Sequence, residues 1–139
     1  MAITNFVYPK YKTAILTAAA NVSLVTEVPT VALLENTFAY DPANSLFSDL
    51  AGIAGTPQAI GTPAVSATTG VFSGANVTFA AVVPGTEIKS IVMYLDTGVK
   101  RLVFIEDGDD QTAPVTGLPV TPNGGDISIS WSGSGILLI

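Results

Sequence analysis

The hydrophobic and polar positions of this chain change period several times, and each change marks an element. "PKYKTAILTAAA" carries helix formers with an apolar stripe through Tyr11, Ile15 and Ala18 or Ala19. Pro9 suits the first helical position, where its missing N–H costs nothing. The pattern predicts a short helix from about Pro9 to Ala20. "NVSLVTEVP" is looser, and Pro29 interrupts it. "TVALLEN" then reads as a strand with Val31 and Leu33 on one face. Asp41-Pro42 starts a turn, and Ser45 is placed to cap one helical turn, "LFSDL", ended by Gly52.

From Gly55 the pattern is wholly strand and turn. "GTPQAIGTPAVSATTGVFSG" holds Thr-Pro twice. Each proline lacks a ladder donor, so these segments are expected to be edge strands or arms. "ANVTFAAV" alternates, with Val77 and Phe79 on one face. "EIKSIVMYLD" begins by alternating and becomes a continuous apolar run from Ile91 to Leu95, as in a central strand covered on both faces. "DTGVK" connects it to a returning strand, "RLVFIED". "DISISW" has period two, with Ile127, Ile129 and Trp131 facing in.

Many short strands separated by Gly/Pro turns indicate a mainly β fold. The expectation is an antiparallel β-sandwich or jelly-roll-like barrel with a short N-terminal helix. Residues 1–139 read as a single β-rich domain, with 1–30 an N-terminal arm and the short helix. The final four aliphatics, Ile136 to Ile139, would be sticky if exposed. They are expected as a last strand beside Asp126–Trp131, or beside an equivalent strand of a neighbouring subunit.

Composition narrows the possible chemistry. Cysteine is absent, which removes disulfides and thiolate metal sites. Histidine is absent too, and with it the commonest general base and metal ligand. Only 12% of residues are charged, against roughly 25% in a typical soluble domain. Mean hydropathy is +0.53. Such a surface is expected to be partly covered by neighbours, which argues for a homo-oligomer. The formal charge of -6, from 11 acidic and 5 basic residues, argues against direct nucleic-acid binding, which needs clustered cations. No stretch reaches the ~20 apolar residues of a spanning helix, so no membrane partner is expected. "KYKTAILTAAANV" loosely imitates a secretory signal, but its apolar core is short and the helix reading is preferred.

Three stretches could carry chemistry. "YLDTGV" resembles the catalytic triplet of aspartic proteases. That chemistry needs two aspartates sharing a proton, so the chain would have to dimerise around Asp96. The same letters are ordinary hairpin-turn chemistry between two strong strands, which is the preferred reading. "EDGDD" gathers Glu106, Asp107, Asp109 and Asp110 around one glycine. These are the weak calcium candidates, and a solvated loop tip is the plainer reading. "TPNGGD" has neither a following helix nor a lysine, so it reads as a turn and not a phosphate cradle. No catalytic residue and no cofactor is assigned. Asn21-Val22-Ser23 and Asn76-Val77-Thr78 match the glycosylation triplet. Tyr8, Tyr11, Tyr40, Tyr94 and Trp131 could stack sugars in a calcium- or carbohydrate-binding β-sandwich module, but most sit in expected core strands.

The C-terminal half, an apolar strand, "DTG", a second apolar strand, then "GLPVTPNGGDISISW", resembles a group of small virion proteins of tailed bacteriophages. "MAITNF" and "FAYDPANSLFSDLAGIAGTP" are similar to the same group. The pattern spans most of the chain, and residues 117–131 are its most specific piece. The resemblance implies a non-enzymatic capsid decoration, or cement, protein. It implies a β-sandwich that sits on the shell as an oligomer, with a trimer the expected state. The implied partners are the major capsid protein and other copies of itself. The implied location is the capsid surface of the virion, after synthesis in the host cytoplasm. Tail and fibre components use similar β-folds and form the runner-up reading.

Overall fold

The computed structural model describes residues 6–107, 115–131 and 135–137. The chain is mainly β, built from antiparallel sheets with one short N-terminal helix. Its elements are β1 (Phe6–Val7), α1 (Pro9–Leu16), β2 (Pro29–Glu35), a single 3-10 turn (Phe47–Asp49), β3 (Ile53–Ala59), β4 (Ala64–Val65), β5 (Phe72–Ser73), β6 (Val77–Phe79), β7 (Ile88–Leu95), β8 (Leu102–Asp107), β9 (Val115–Thr116) and β10 (Ile127–Trp131).

Five strands form the main sheet in the order β1-β8-β7-β2-β3, and β6-β10-β9 form a second, smaller sheet. β7 lies at the centre of the main sheet. From Ser90 to Leu95 every side chain is buried. This is the both-faces-covered strand that its unbroken apolar run predicts. β2 runs antiparallel beside it, with Val31 opposite Met93 and Leu33 opposite Ile91. Thr30 through Leu34 are all buried, because β2 is flanked by β7 and β3 and covered on both faces. Tyr8, Phe72, Phe79, Ile129 and Ile136 join the same apolar cluster as β7. The sheets therefore share one core, in a sandwich-like arrangement.

β3 is an edge strand, as its proline requires. Val31 faces Gln58 and Leu33 faces Ala54, so three residues of β3 oppose Ala32 alone. That bulge holds Gly55, at φ +68°, and Pro57. The missing proline donor thus falls where the ladder is already broken.

Helix α1 is shorter than predicted, ending at Leu16. Thr13 and Thr17 hydroxyls donate back to the carbonyls of Pro9 and Thr13, which favours bending and termination. Ala18 then takes φ 53°. Its N–H donates to Ile15 O and that of Ala19 to Ala14 O, the two bonds of a Schellman ending. Ile15, expected on the buried stripe, is 37% exposed; Tyr11 and Ala14 face the core instead. The turn at Phe47–Asp49 forms as expected, but Ser45 does not cap it. The Asp49 carboxylate caps it from within, accepting the N–H groups of Ser45 and Leu46 at 2.8 and 2.9 Å.

The tail also departs from expectation. Ile136 is buried, but its segment pairs with β5 and not with β10. β10 instead pairs with β6 through Ile127–Ile129 and with β9 through Ser130 and Trp131.

Candidate functional site

The residues singled out in the sequence do not converge. Asp96 sits on the β7–β8 turn with its carboxylate 3.1 Å from the Lys100 ammonium, and both side chains are substantially exposed. Its N–H donates to Val28 O, which ties the turn to the residue before β2. Gly98 supplies the positive φ that the turn needs, +63°. A Cβ there would come within 2.7 Å of Asn21 Oδ1. These contacts give "DTG" a turn role.

Glu106 and Asp107 are the last two residues of β8, and Asp109 and Asp110 lie outside the described residues. Among the described residues no group of three or more acidic side chains gathers as a metal would require. "TPNGGD" is a turn tied to the segment before β7. Asn123 Oδ1 accepts the Gly125 N–H, and Asp126 Oδ1 accepts the Ala81 N–H, both at 2.9 Å.

The aromatic residues are mostly structural. Tyr8, Tyr11 and Tyr94 are buried. Tyr8 packs against Tyr40 with ring centroids 5.4 Å apart. Phe47 stacks on Tyr94 at 4.2 Å, which brings the 36–52 loop over one face of the main sheet. The Tyr11 hydroxyl donates to Val22 O at 2.6 Å. The Tyr8 hydroxyl is buried without a hydrogen-bond partner among the described residues. Burial raises the Tyr11 and Tyr94 hydroxyls to about 12. Trp131 is half-buried, and its indole N–H donates to Ala75 O at 3.0 Å. Its main-chain N–H is held by Asn76 Oδ1, which occupies that glycosylation-type asparagine.

One open depression of about 290 Å³ lies along the 36–52 loop, lined by Thr37, Phe38, Asp41, Asn44, Asp49 and Gly52 among others. Both of its carboxylates are engaged by backbone. Asp41 accepts the Ala43 N–H at 2.8 Å, and Asp49 caps the 3-10 turn. The two N–H groups from Leu46 and Ser45 hold the Asp49 carboxyl below its ordinary value. The two carboxylates of the depression thus serve to hold the loop.

Surface composition separates more sharply. No charged residue occurs between Asp49 and Glu87. That stretch forms β3, the β4–β5 hairpin and β6, and it is exposed over most of residues 61–86. The hairpin tip is ordered by Ser66, whose hydroxyl accepts the Thr68 and Thr69 N–H groups at 3.2 Å. Sequence reasoning missed a second feature. Among the described residues Ile15, Leu16, Val25, Val28 and Val99 are five of the seven exposed large apolar side chains, and they lie on two segments that touch. Leu16 looked like part of a continuing helix, so nothing local marked it as surface.

Among the described residues no helix is long and apolar enough to cross a membrane. Comparison with protein-family models, with curated proteins and with solved structures found no match.

Proposed function

We propose that this chain is a bacteriophage virion structural protein, a capsid decoration or cement protein that binds the assembled shell and stabilises it. The observation that carries the reading is the uncharged run from Leu50 to Thr86. It supplies an edge strand and an extended hairpin whose exposed residues bear no charge. An exposed surface without charges is a liability in a free monomer and an asset in a protein meant to be covered. The pattern of residues 117–131 supports the same reading by its resemblance to small virion proteins.

The mechanism is mass action. A protein that binds the expanded shell, and not its disassembled subunits, adds its binding free energy to the shell's stability. Modest contacts multiplied over a symmetric particle give large avidity. The partners are the major capsid protein and other copies of this chain. No nucleic acid, cofactor or catalytic residue enters the reading.

The test is co-sedimentation of the purified chain with empty shells before and after expansion, and separately with isolated tails. Saturable binding to expanded shells, with a raised shell melting temperature, is expected. Binding to tails alone would replace this reading with the tail-component one, and binding to neither would end both.

A further inference from the structure

We propose that Asn123 is a site of spontaneous deamidation, gated by the main-chain clamp that joins its turn to Val82. Of the six asparagines in the chain, only Asn123 precedes a glycine. Glycine has no side chain to hinder attack by its own nitrogen, so this pair is the most reactive of the six. Residues 123–126 are all exposed, so water reaches the turn.

The reaction needs the Gly124 nitrogen to attack Asn123 Cγ. That nitrogen gives up its proton and bonds to Cγ, the Cγ–Nδ2 bond breaks, and Nδ2 leaves as ammonia. Water then opens the cyclic imide so formed. Opening at Cγ gives aspartate. Opening at the main-chain carbonyl gives isoaspartate, with the chain now running through Cγ.

The turn favours one half of this step and blocks the other. Asn123 Oδ1 accepts the Gly125 N–H at 2.9 Å. A donor at that oxygen polarises the Cγ carbonyl and stabilises the charge that attack places on it. Gly125 permits the approach, since a Cβ there would lie 3.1 Å from Oδ1. The nucleophile, by contrast, is held. The Gly124 N–H donates to Val82 O at 2.9 Å, and the Val82 N–H donates to Gly125 O at 3.0 Å. Val82 is 2% exposed, so it anchors this pair from the core. Asp126 Oδ1 accepts the Ala81 N–H at 2.9 Å and adds a further tie.

Losing the Gly124 proton costs the bond to Val82. The reaction therefore proceeds from the opened turn, at a rate set by the open fraction. Isoaspartate lengthens the main chain by one methylene, which moves the Gly124 N–H away from Val82 O. Either product also adds a negative charge close to Asp126. The modification is thus irreversible and loosens the turn that leads into β10, whose first residue, Ile127, pairs with Phe79.

The test needs no shells, and its outcome is independent of the virion reading. The full chain is incubated in mildly alkaline buffer, folded and in urea, and its peptides are followed by mass spectrometry. In urea, Asn123 is expected to react before every other asparagine. In the folded chain it is expected to react at least about tenfold more slowly than in urea. Asp126→Ala is expected to raise the folded rate and to leave the rate in urea unchanged. Hydrogen exchange at the Gly124 amide, which needs no variant, is expected to be slow despite the exposure of the turn. Another asparagine reacting first in urea overturns the site. Equal rates folded and in urea, or a freely exchanging Gly124 amide, overturn the gate. A folded Asp126→Ala chain that reacts at the wild-type rate overturns the clamp as its origin.

Discussion

Phe72 and Leu137 face each other across a reciprocal main-chain bridge. The Phe72 N–H donates to Leu137 O at 2.8 Å, and the Ile136 N–H donates back to Phe72 O at 2.8 Å. Phe72 is 1% exposed and Ile136 4%. The tail therefore closes the core over β5. Ile136→Ala is expected to cost about 2–5 kcal/mol, as for other buried aliphatic truncations. That is a large share of a domain stability of about 5–15 kcal/mol. Deleting residues 136–139 should abolish cooperative thermal unfolding. An unchanged melting temperature in either variant would mean that the bridge contributes nothing.

Two strained positions should respond to glycine. Ala18 occupies the left-handed position of the Schellman ending and Val28 holds φ 51°, where a Cβ is penalised by about 1–2 kcal/mol. Ala18→Gly and Val28→Gly relieve that strain at some cost in unfolded-chain entropy. Ala18→Gly is expected to raise stability by about 0.5–1 kcal/mol, read from chemical denaturation at constant slope. Val28→Gly should gain less, because the half-buried part of its side chain is lost. A lower midpoint for Ala18→Gly would show that the ending is unstrained.

Much of this architecture was legible beforehand. Ile91–Leu95 announced a doubly covered strand because an unbroken apolar run has no polar face to leave in water. Pro57 announced an edge because it has no N–H to donate. The helix was over-read because the Ala18–Ala20 triplet has high helix propensity, while the back-bonding of Thr13 and Thr17 is a weaker local signal. The tail's partner was not legible. β5 is only two residues long, and its meeting with Leu137 depends on where the hairpin lies in space. The exposed apolar side chains were hidden for a similar reason: the segments that carry Leu16 and Val99 are far apart in sequence and meet only through contacts such as the Val28–Asp96 hydrogen bond.

Asp96→Asn should be nearly silent. The Asp96–Lys100 pair is 3.1 Å apart and both side chains are well exposed. Exposed pairs of this kind contribute about 0–1 kcal/mol, and asparagine retains the turn-forming oxygen. The expected change in the denaturation midpoint is correspondingly small, and smaller still in high salt. A peptidase activity lost in this variant would overturn the turn role given to "DTG".

The hydroxyls of Tyr8 and Tyr11 should behave oppositely when removed. Tyr11 donates to Val22 O at 2.6 Å, so Tyr11→Phe strands a carbonyl and is expected to cost about 1 kcal/mol or more. Tyr8 buries its hydroxyl without a partner among the described residues, so Tyr8→Phe removes a desolvated polar group without breaking a bond to any of them. It is expected to be neutral or stabilising. Equal destabilisation by both changes would show that the Tyr8 hydroxyl has a partner in solution.

All four tyrosines of the chain have hydroxyls that resist ionisation, and this predicts alkaline unfolding. Burial is the largest cause in each case. Tyr11 is held near 12 despite the opposing influence of Arg101. Tyr94 is also near 12, with Asp96 adding to the effect of burial. Tyr8 and Tyr40 are raised by burial and then by nearby negative groups, Asp41 among them. An unfolded tyrosine ionises at about pH 10. Above that pH the unfolded chain releases phenolic protons that the folded chain still holds, so stability falls as pH rises. The contribution is fully present below pH 10 and is lost as pH climbs through about 12. Phenolate absorbance should therefore rise late and steeply, together with loss of the β-sheet circular dichroism signal. Tyr94→Phe should leave one fewer group to drive the transition and shift it to higher pH. Independent titration of the four tyrosines near pH 10 with the sheet signal intact would mean that these rings are open to water.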